Sequence, residues 1–143
     1  MQSPPTPPTP PNKPGRPSGR QKILIVDDDA EVMLMMVRFL GRSGYEILQC
    51  DGPFGATGLV RRHAPDAVIL DIMMPALAGS DLVHLLREAD PDLPVLFFSA
   101  IDEEQGRALS ERVRGSAFLS KTAGVVALER TVSAMLRGSG SER

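Results

Sequence analysis

Lys22-Ile-Leu-Ile-Val-Asp-Asp-Asp29 is a short apolar run that stops abruptly on three carboxylates. Such a run is too short for a core helix. Its β-branched and leucine side chains suit a strand buried on both faces. Asp29 can cap a helix that starts just after it. Val32, Met33, Met36, Phe39 and Leu40 then recur at helical spacing until Gly41 and Gly44 end the pattern.

The alternation continues outward from this unit. Residues 45–50 read as a second strand, and a helix over 54–63 stops before Pro65. Residues 67–70 form a third strand. A helix over 81–89 puts Leu82, Leu85 and Leu86 on one face. Residues 95–98 are a fourth strand, 103–113 a helix and 117–119 a fifth strand. A last helix over 125–136 turns Val125, Leu128, Val132, Met135 and Leu136 inward. Strands alternating with helices of this length predict an α/β fold, a doubly wound five-stranded parallel sheet of the flavodoxin-like (βα)5 type.

The flanks differ from this core. Eight of the 13 prolines lie in residues 1–20, with Lys13, Arg16 and Arg20 but no acid and no large apolar side chain beyond Met1. That composition predicts a disordered tail of polyproline-II character. Its repeated PxxP spacing offers itself to an aromatic groove on a partner. Residues 21–137 are the expected domain, and 138–143 an expected flexible end. The whole chain of 143 residues has formal net charge −2, with no long apolar segment and a single cysteine, Cys50. A membrane anchor, an internal disulfide and a zinc site built on paired cysteines are thereby excluded. A cytoplasmic location is the expectation. Basic residues form no stripe, so no nucleic-acid contact is expected. Cys50 reads as an inert buried thiol, and Met33, Met35, Met36, Met73 and Met74 as core or near-core packing. His63 and His84 read as exposed.

Parallel sheets place their sites beyond the carboxyl ends of the strands. Asp27, Asp28 and Asp29 follow the first strand, Asp71 the third, Ser99 the fourth and Lys121 the fifth. If these strands lie side by side, the groups converge. Three carboxylates in one pocket raise one another's pKa and call for a cation. Magnesium takes one or two carboxylates, waters and a phosphate oxygen. Lys121 and Ser99 suit phosphate oxygens. Asp71 stands alone at the end of an apolar strand and reads as a nucleophile toward phosphorus.

Four motifs in order carry a resemblance: Ile23-Leu-Ile-Val-Asp-Asp-Asp29, Val68-Ile-Leu-Asp-Ile-Met-Met-Pro75 with Gly79, Leu96-Phe-Phe-Ser-Ala100, and Phe118-Leu-Ser-Lys121. Over about residues 20–137 the chain resembles the receiver domain of two-component response regulators, similar to the single-domain chemotaxis regulator. The resemblance implies that Asp71 is the phosphoacceptor. It implies that Asp28, Asp71 and the backbone carbonyl of Met73 bind Mg2+, with Asp27 assisting through water. Ser99 would be the switch hydroxyl, Phe118 the switch aromatic and Lys121 the phosphate-binding lysine. The implied partners are a histidine kinase as donor and a downstream protein that meets the helix 4–strand 5–helix 5 face. The implied protein is a phosphoacceptor rather than an enzyme with a separate substrate.

Two departures stand out. Thr122 follows Lys121 where the family usually has a proline in a cis peptide, so this loop is expected to be trans or strained. Met73 and Ile101, two residues beyond Asp71 and Ser99, are apolar and give attacking water no hydrogen bond, which predicts a long-lived phosphoryl group. Two further readings stay open at this level. One is a degenerate receiver acting only by protein contact. The other is a haloacid-dehalogenase-type phosphohydrolase with Asp27 as nucleophile and Asp29 as general acid.

Overall fold

The computed structural model describes residues 19–74 and 77–141. The expected Pro-rich tail therefore lies almost wholly outside the described residues, as does Pro75. Five strands, β1 (Lys22–Val26), β2 (Glu46–Cys50), β3 (Ala67–Leu70), β4 (Val95–Ser99) and β5 (Ser116–Ser120), alternate with five helices. These are α1 (Ala30–Arg42), α2 (Ala56–His63), α3 (Gly79–Ala89), α4 (Glu103–Arg112) and α5 (Gly124–Ser141), with a 3-10 turn over Lys121–Ala123 before the last. All pairings are parallel, in the order β2-β1-β3-β4-β5. The expected doubly wound (βα)5 architecture is the one observed.

Strand alternation sorts the core into two layers. Ile23 and Ile25 of β1 join Met33, Met36, Leu40, Leu128, Val132 and Leu136 under α1 and α5. Leu24 and Val26 join Val60, Leu82, Val83, Leu86 and Phe97 on the opposite face, under α2 and α3. β1, β3 and β4 are almost completely buried, as strands covered on both sides must be.

The structure corrects several details. α2 begins at Ala56 rather than at Phe54, because Gly55 adopts a left-handed φ of 93° at the cap and Phe54 stands out in solvent. Val83 rather than Leu85 completes the buried face of α3. α5 runs to Ser141, past the expected helix end at residue 136, and residues 142–143 lie outside the described residues. Met35 and Met73 are exposed rather than core, at 39% and 58%. His63 is half-buried while His84 is exposed. Cys50 is only half-buried, its Sγ donating to the Gly52 carbonyl at 3.1 Å.

One side chain ties the far end of the sheet. Arg87 of α3 donates from Nε and Nη2 to the Leu93 carbonyl at 3.1 and 2.8 Å, and from Nη2 to the Gly115 carbonyl at 3.2 Å. Its Nη1 also donates to the Arg114 carbonyl. The fork thereby joins the loops that enter β4 and β5. A Cβ on Gly115 would come within 2.9 Å of Nη2, and Gly115 also has φ 69°. Arg87→Met is expected to lower unfolding free energy by about 2 kcal/mol, the scale for losing hydrogen bonds to a charged donor. Arg87→Lys should recover less than half of this, because an ammonium lacks the planar fork. Urea denaturation checks both values.

Candidate functional site

The register brings the carboxyl ends of four strands together. Val26 lies beside Leu70, Leu70 beside Phe97 and Ser99 beside Ser120. The ladder continues one step further, with Asp71 N donating to the Val26 carbonyl at 3.1 Å and Asp27 N to the Cys50 carbonyl at 3.1 Å. Asp27 and Asp71 are thus aligned by the sheet itself. Ser99 and Lys121 stand at the ends of β4 and β5.

Asp71 is buried, and both of its oxygens are engaged. Oδ1 accepts from the Ser99 hydroxyl at 2.9 Å and from the Met73 N–H at 3.0 Å. Oδ2 accepts from Lys121 Nζ at 3.1 Å. Lys121 Nζ also contacts Asp27 Oδ2 at 2.9 Å. Asp27 Oδ1 accepts from the Asp29 N–H at 2.9 Å. One ammonium therefore bridges two buried carboxylates, each anchored on its other oxygen.

This geometry sets the electrostatics. Burial pushes the Asp27 carboxyl above the usual carboxylate range, opposed by the Asp29 N–H and by Lys121. Burial pulls the Lys121 ammonium down, but its bonds to Asp27 and Asp71 outweigh that and raise it overall. The lysine is held charged across the neutral range.

Carboxylate oxygens of Asp27, Asp28 and Asp71 lie within 4.8 Å of one another, with Asp28 exposed and the other two buried. Three hard anionic donors with one bridging ammonium leave the cluster net negative. That donor set fits an oxygen-seeking divalent cation and does not suit a soft metal. An open groove leads from Asp27 and Asp28 along Met33, Leu34 and Val37 to Gln49 and Asp51.

The expected residues converge in this way, with two qualifications of role. Asp29 is occupied as the α1 cap, accepting from the Glu31 and Val32 N–H groups at 3.0 and 3.2 Å, and so is not aimed as a general acid beside Asp27. Phe118 lies away from the carboxylates, half-buried against α4 with Leu109 and Val113. Among the described residues no peptide bond is cis, so the Lys121–Thr122 bond is trans. Ser120 secures this turn, its Oγ accepting from Thr122 N at 3.1 Å. Two contributions escape a reading of the sequence. The Met73 N–H orients Asp71, and Gly106 of α4 lies under Phe118; neither a backbone donor nor a lone helical glycine carries a motif.

Known proteins of similar sequence and fold point the same way. The family model described as the response regulator receiver domain matches residues 23–133. The chain is 34% identical over 120 residues to the transcriptional regulatory protein PrrA of Mycobacterium tuberculosis, covering 84% of this chain and 52% of that one. It is 39% identical over 94 residues to the response regulator MprA of Mycobacterium leprae, covering 66% of this chain and 39% of that one. The chain thus spans about half or less of the length of these relatives. A crystal structure of a response regulator receiver domain protein from Clostridium thermocellum superposes with TM-score 0.77 at 20% identity, covering 86% of this chain and 99% of that one, a likeness of fold. On the family match and these relatives together, the chain belongs to the receiver domains of two-component response regulators.

Proposed function

We propose that this chain is a phosphorylation-dependent switch in which Asp71 takes a phosphoryl group from the phosphohistidine of a partner histidine kinase. The observation that carries this reading is the convergence of Ser99 and Lys121 on the two oxygens of a buried Asp71, beside Asp27 and Asp28. An Asp71 oxygen attacks phosphorus, a P–O bond forms, and the P–N bond to the donor imidazole breaks. The two donors that hold the free carboxylate are the groups a phosphoryl oxygen needs. Ser99 supplies a hydroxyl and Lys121 a charge already desolvated and in place. Met73 N–H keeps the remaining carboxylate oxygen oriented. Magnesium, held by Asp28, Asp71 and the Met73 carbonyl with Asp27 assisting, would neutralise charge on the transferring group.

The chain acts on itself and has no separate substrate. Its output is a changed protein-contact face on α4, β5 and α5, and the Pro-rich tail offers a second, groove-type contact. Met73 and Ile101 place no hydrogen-bonding side chain two residues beyond Asp71 and Ser99, which favours a slow loss of phosphate.

Acetyl phosphate with magnesium, followed by intact mass, tests the reading. One hydroxylamine-labile phosphate is expected in the wild-type chain, none in Asp71→Asn, and decay slower than in chemotaxis-type receivers. An adduct that persists in Asp71→Asn, or no adduct in a folded wild-type chain, would overturn it.

A further inference from the structure

α4 is the most polar of the five helices, and its one buried residue is a glycine, Gly106. Glycine is the worst residue after proline for a helix interior, so its use there asks for a packing reason. Phe118 supplies one. A Cβ on Gly106 would lie 2.3 Å from Cε1 and 2.4 Å from Cδ1 and Cζ of the Phe118 ring. The ring is laid directly on the α4 backbone. Leu109 and Val113 of α4 and its C-cap join the same cluster, so α4 is held to the sheet around this ring. β5 carries Phe118 opposite Phe97 and, two residues on, Ser120 opposite Ser99. The ring and the Ser99–Asp71–Lys121 contacts therefore share one strand pair.

We propose that Gly106 is a positioning residue of this switch. Its missing side chain is the seat that lets Phe118 stand inward under α4, and through that ring it acts on phosphoryl binding at Asp71. The coupling half of this inference rests on Asp71 as phosphoacceptor; the seat itself does not. A side chain at position 106 displaces the ring from this seat. By linkage, whatever opposes the seated ring opposes the ligand that favours it.

The test uses the full chain as wild type, Gly106→Ala, Phe118→Ala and the double variant, with Phe118→Leu in place of Phe118→Ala should that protein not fold. Thermal unfolding reads the seat. Alanine at 106 should leave Tm unchanged or lower while Phe118 is present, and raise it by about 4 °C once the ring is gone. An equal rise in both backgrounds would overturn the seat. Magnesium-dependent binding of beryllium trifluoride, a phosphoryl mimic, reads the coupling by calorimetry. Gly106→Ala should bind it about tenfold more weakly, whereas the double variant should match Phe118→Ala. Undiminished affinity in Gly106→Ala would overturn the coupling. A wild-type chain that takes neither the mimic nor phosphate would overturn the phosphoacceptor reading and the coupling with it, and the unfolding cycle would still decide the seat.

Discussion

Lys121→Met is expected to lower unfolding free energy by about 3–5 kcal/mol at neutral pH, the range seen when one partner is removed from a buried ion pair. Methionine keeps the apolar stem and removes only the charge. Asp27 and Asp71, with side chains 2% and 7% exposed, would then face each other with no cation between them. The lost stability should return as the pH falls. Burial already raises the Asp27 carboxyl, and without the ammonium it loses a group that lowers it. A group raised in this way contributes stability that is complete below its unfolded pKa and lost as pH rises through the folded one. Added magnesium should also narrow the gap, because a divalent cation replaces the missing charge. Phosphorylation by acetyl phosphate should fall about a hundredfold or more, the scale for removing a placed electrostatic donor. Paired urea titrations at neutral pH and in acid check the stability statements with and without magnesium. A variant as stable as wild type at the higher pH would show that Lys121 does not neutralise the cluster.

Asp27→Asn is expected to act in the opposite direction on stability and in the same direction on function. Asparagine has one acceptor oxygen, which can keep the Asp29 N–H, so Lys121 gives up its second carboxylate and retains Asp71 as its charged partner. What disappears is an ionised group whose charging is disfavoured, by burial first and by the Asp71 charge as well. Stability at neutral pH should rise by about 1 kcal/mol, within the usual range for relieving a strained functional site. The sign comes from the same linkage. Wild-type Asp27 contributes stability that is present in acid and lost as pH rises through its folded value. The advantage of the variant should therefore vanish below the ordinary carboxylate range. Magnesium affinity should fall about tenfold to a hundredfold, the scale for groups that support a metal ligand set. Isothermal titration with magnesium and thermal melts across pH check this pair. A variant that loses stability at neutral pH would mean that the Asp27–Lys121 contact outweighs the burial of the charge.

These two variants test opposite sides of one balance. The cluster holds three carboxylates with one ammonium, so it is short of positive charge as a folded structure. That shortage is what makes it receptive to a cation, which would in turn supply positive charge for an anionic phosphoryl group.

Much of this is legible in the residues. The run from Lys22 to Val26 is too short and too β-branched for a helix, and α1 repeats its apolar positions at helical spacing. Asp27, Asp71, Ser99 and Lys121 each stand just at the end of an apolar strand, so the topology rule for parallel sheets points at them together. The misreadings are equally physical. Met73 reads as packing because methionine is apolar, yet it lies past the strand end where the chain turns into solvent, and the atom that orients Asp71 is its backbone nitrogen. Phe54 reads into a helix that Gly55 prevents by its left-handed backbone.

The sequence by itself determined the alternation of strand and helix and the residue types at each strand end, because burial on both faces and helical periodicity are properties of short windows. The tertiary structure decided which ends meet. Only the order β2-β1-β3-β4-β5 puts β1 and β3 side by side and brings Lys121 to Asp71 across 50 residues of chain. It also decided that Gly106 lies under Phe118, a contact between a helix and a strand that no local pattern encodes. Pairings of this kind depend on how separate segments pack, and packing is a property of the whole core.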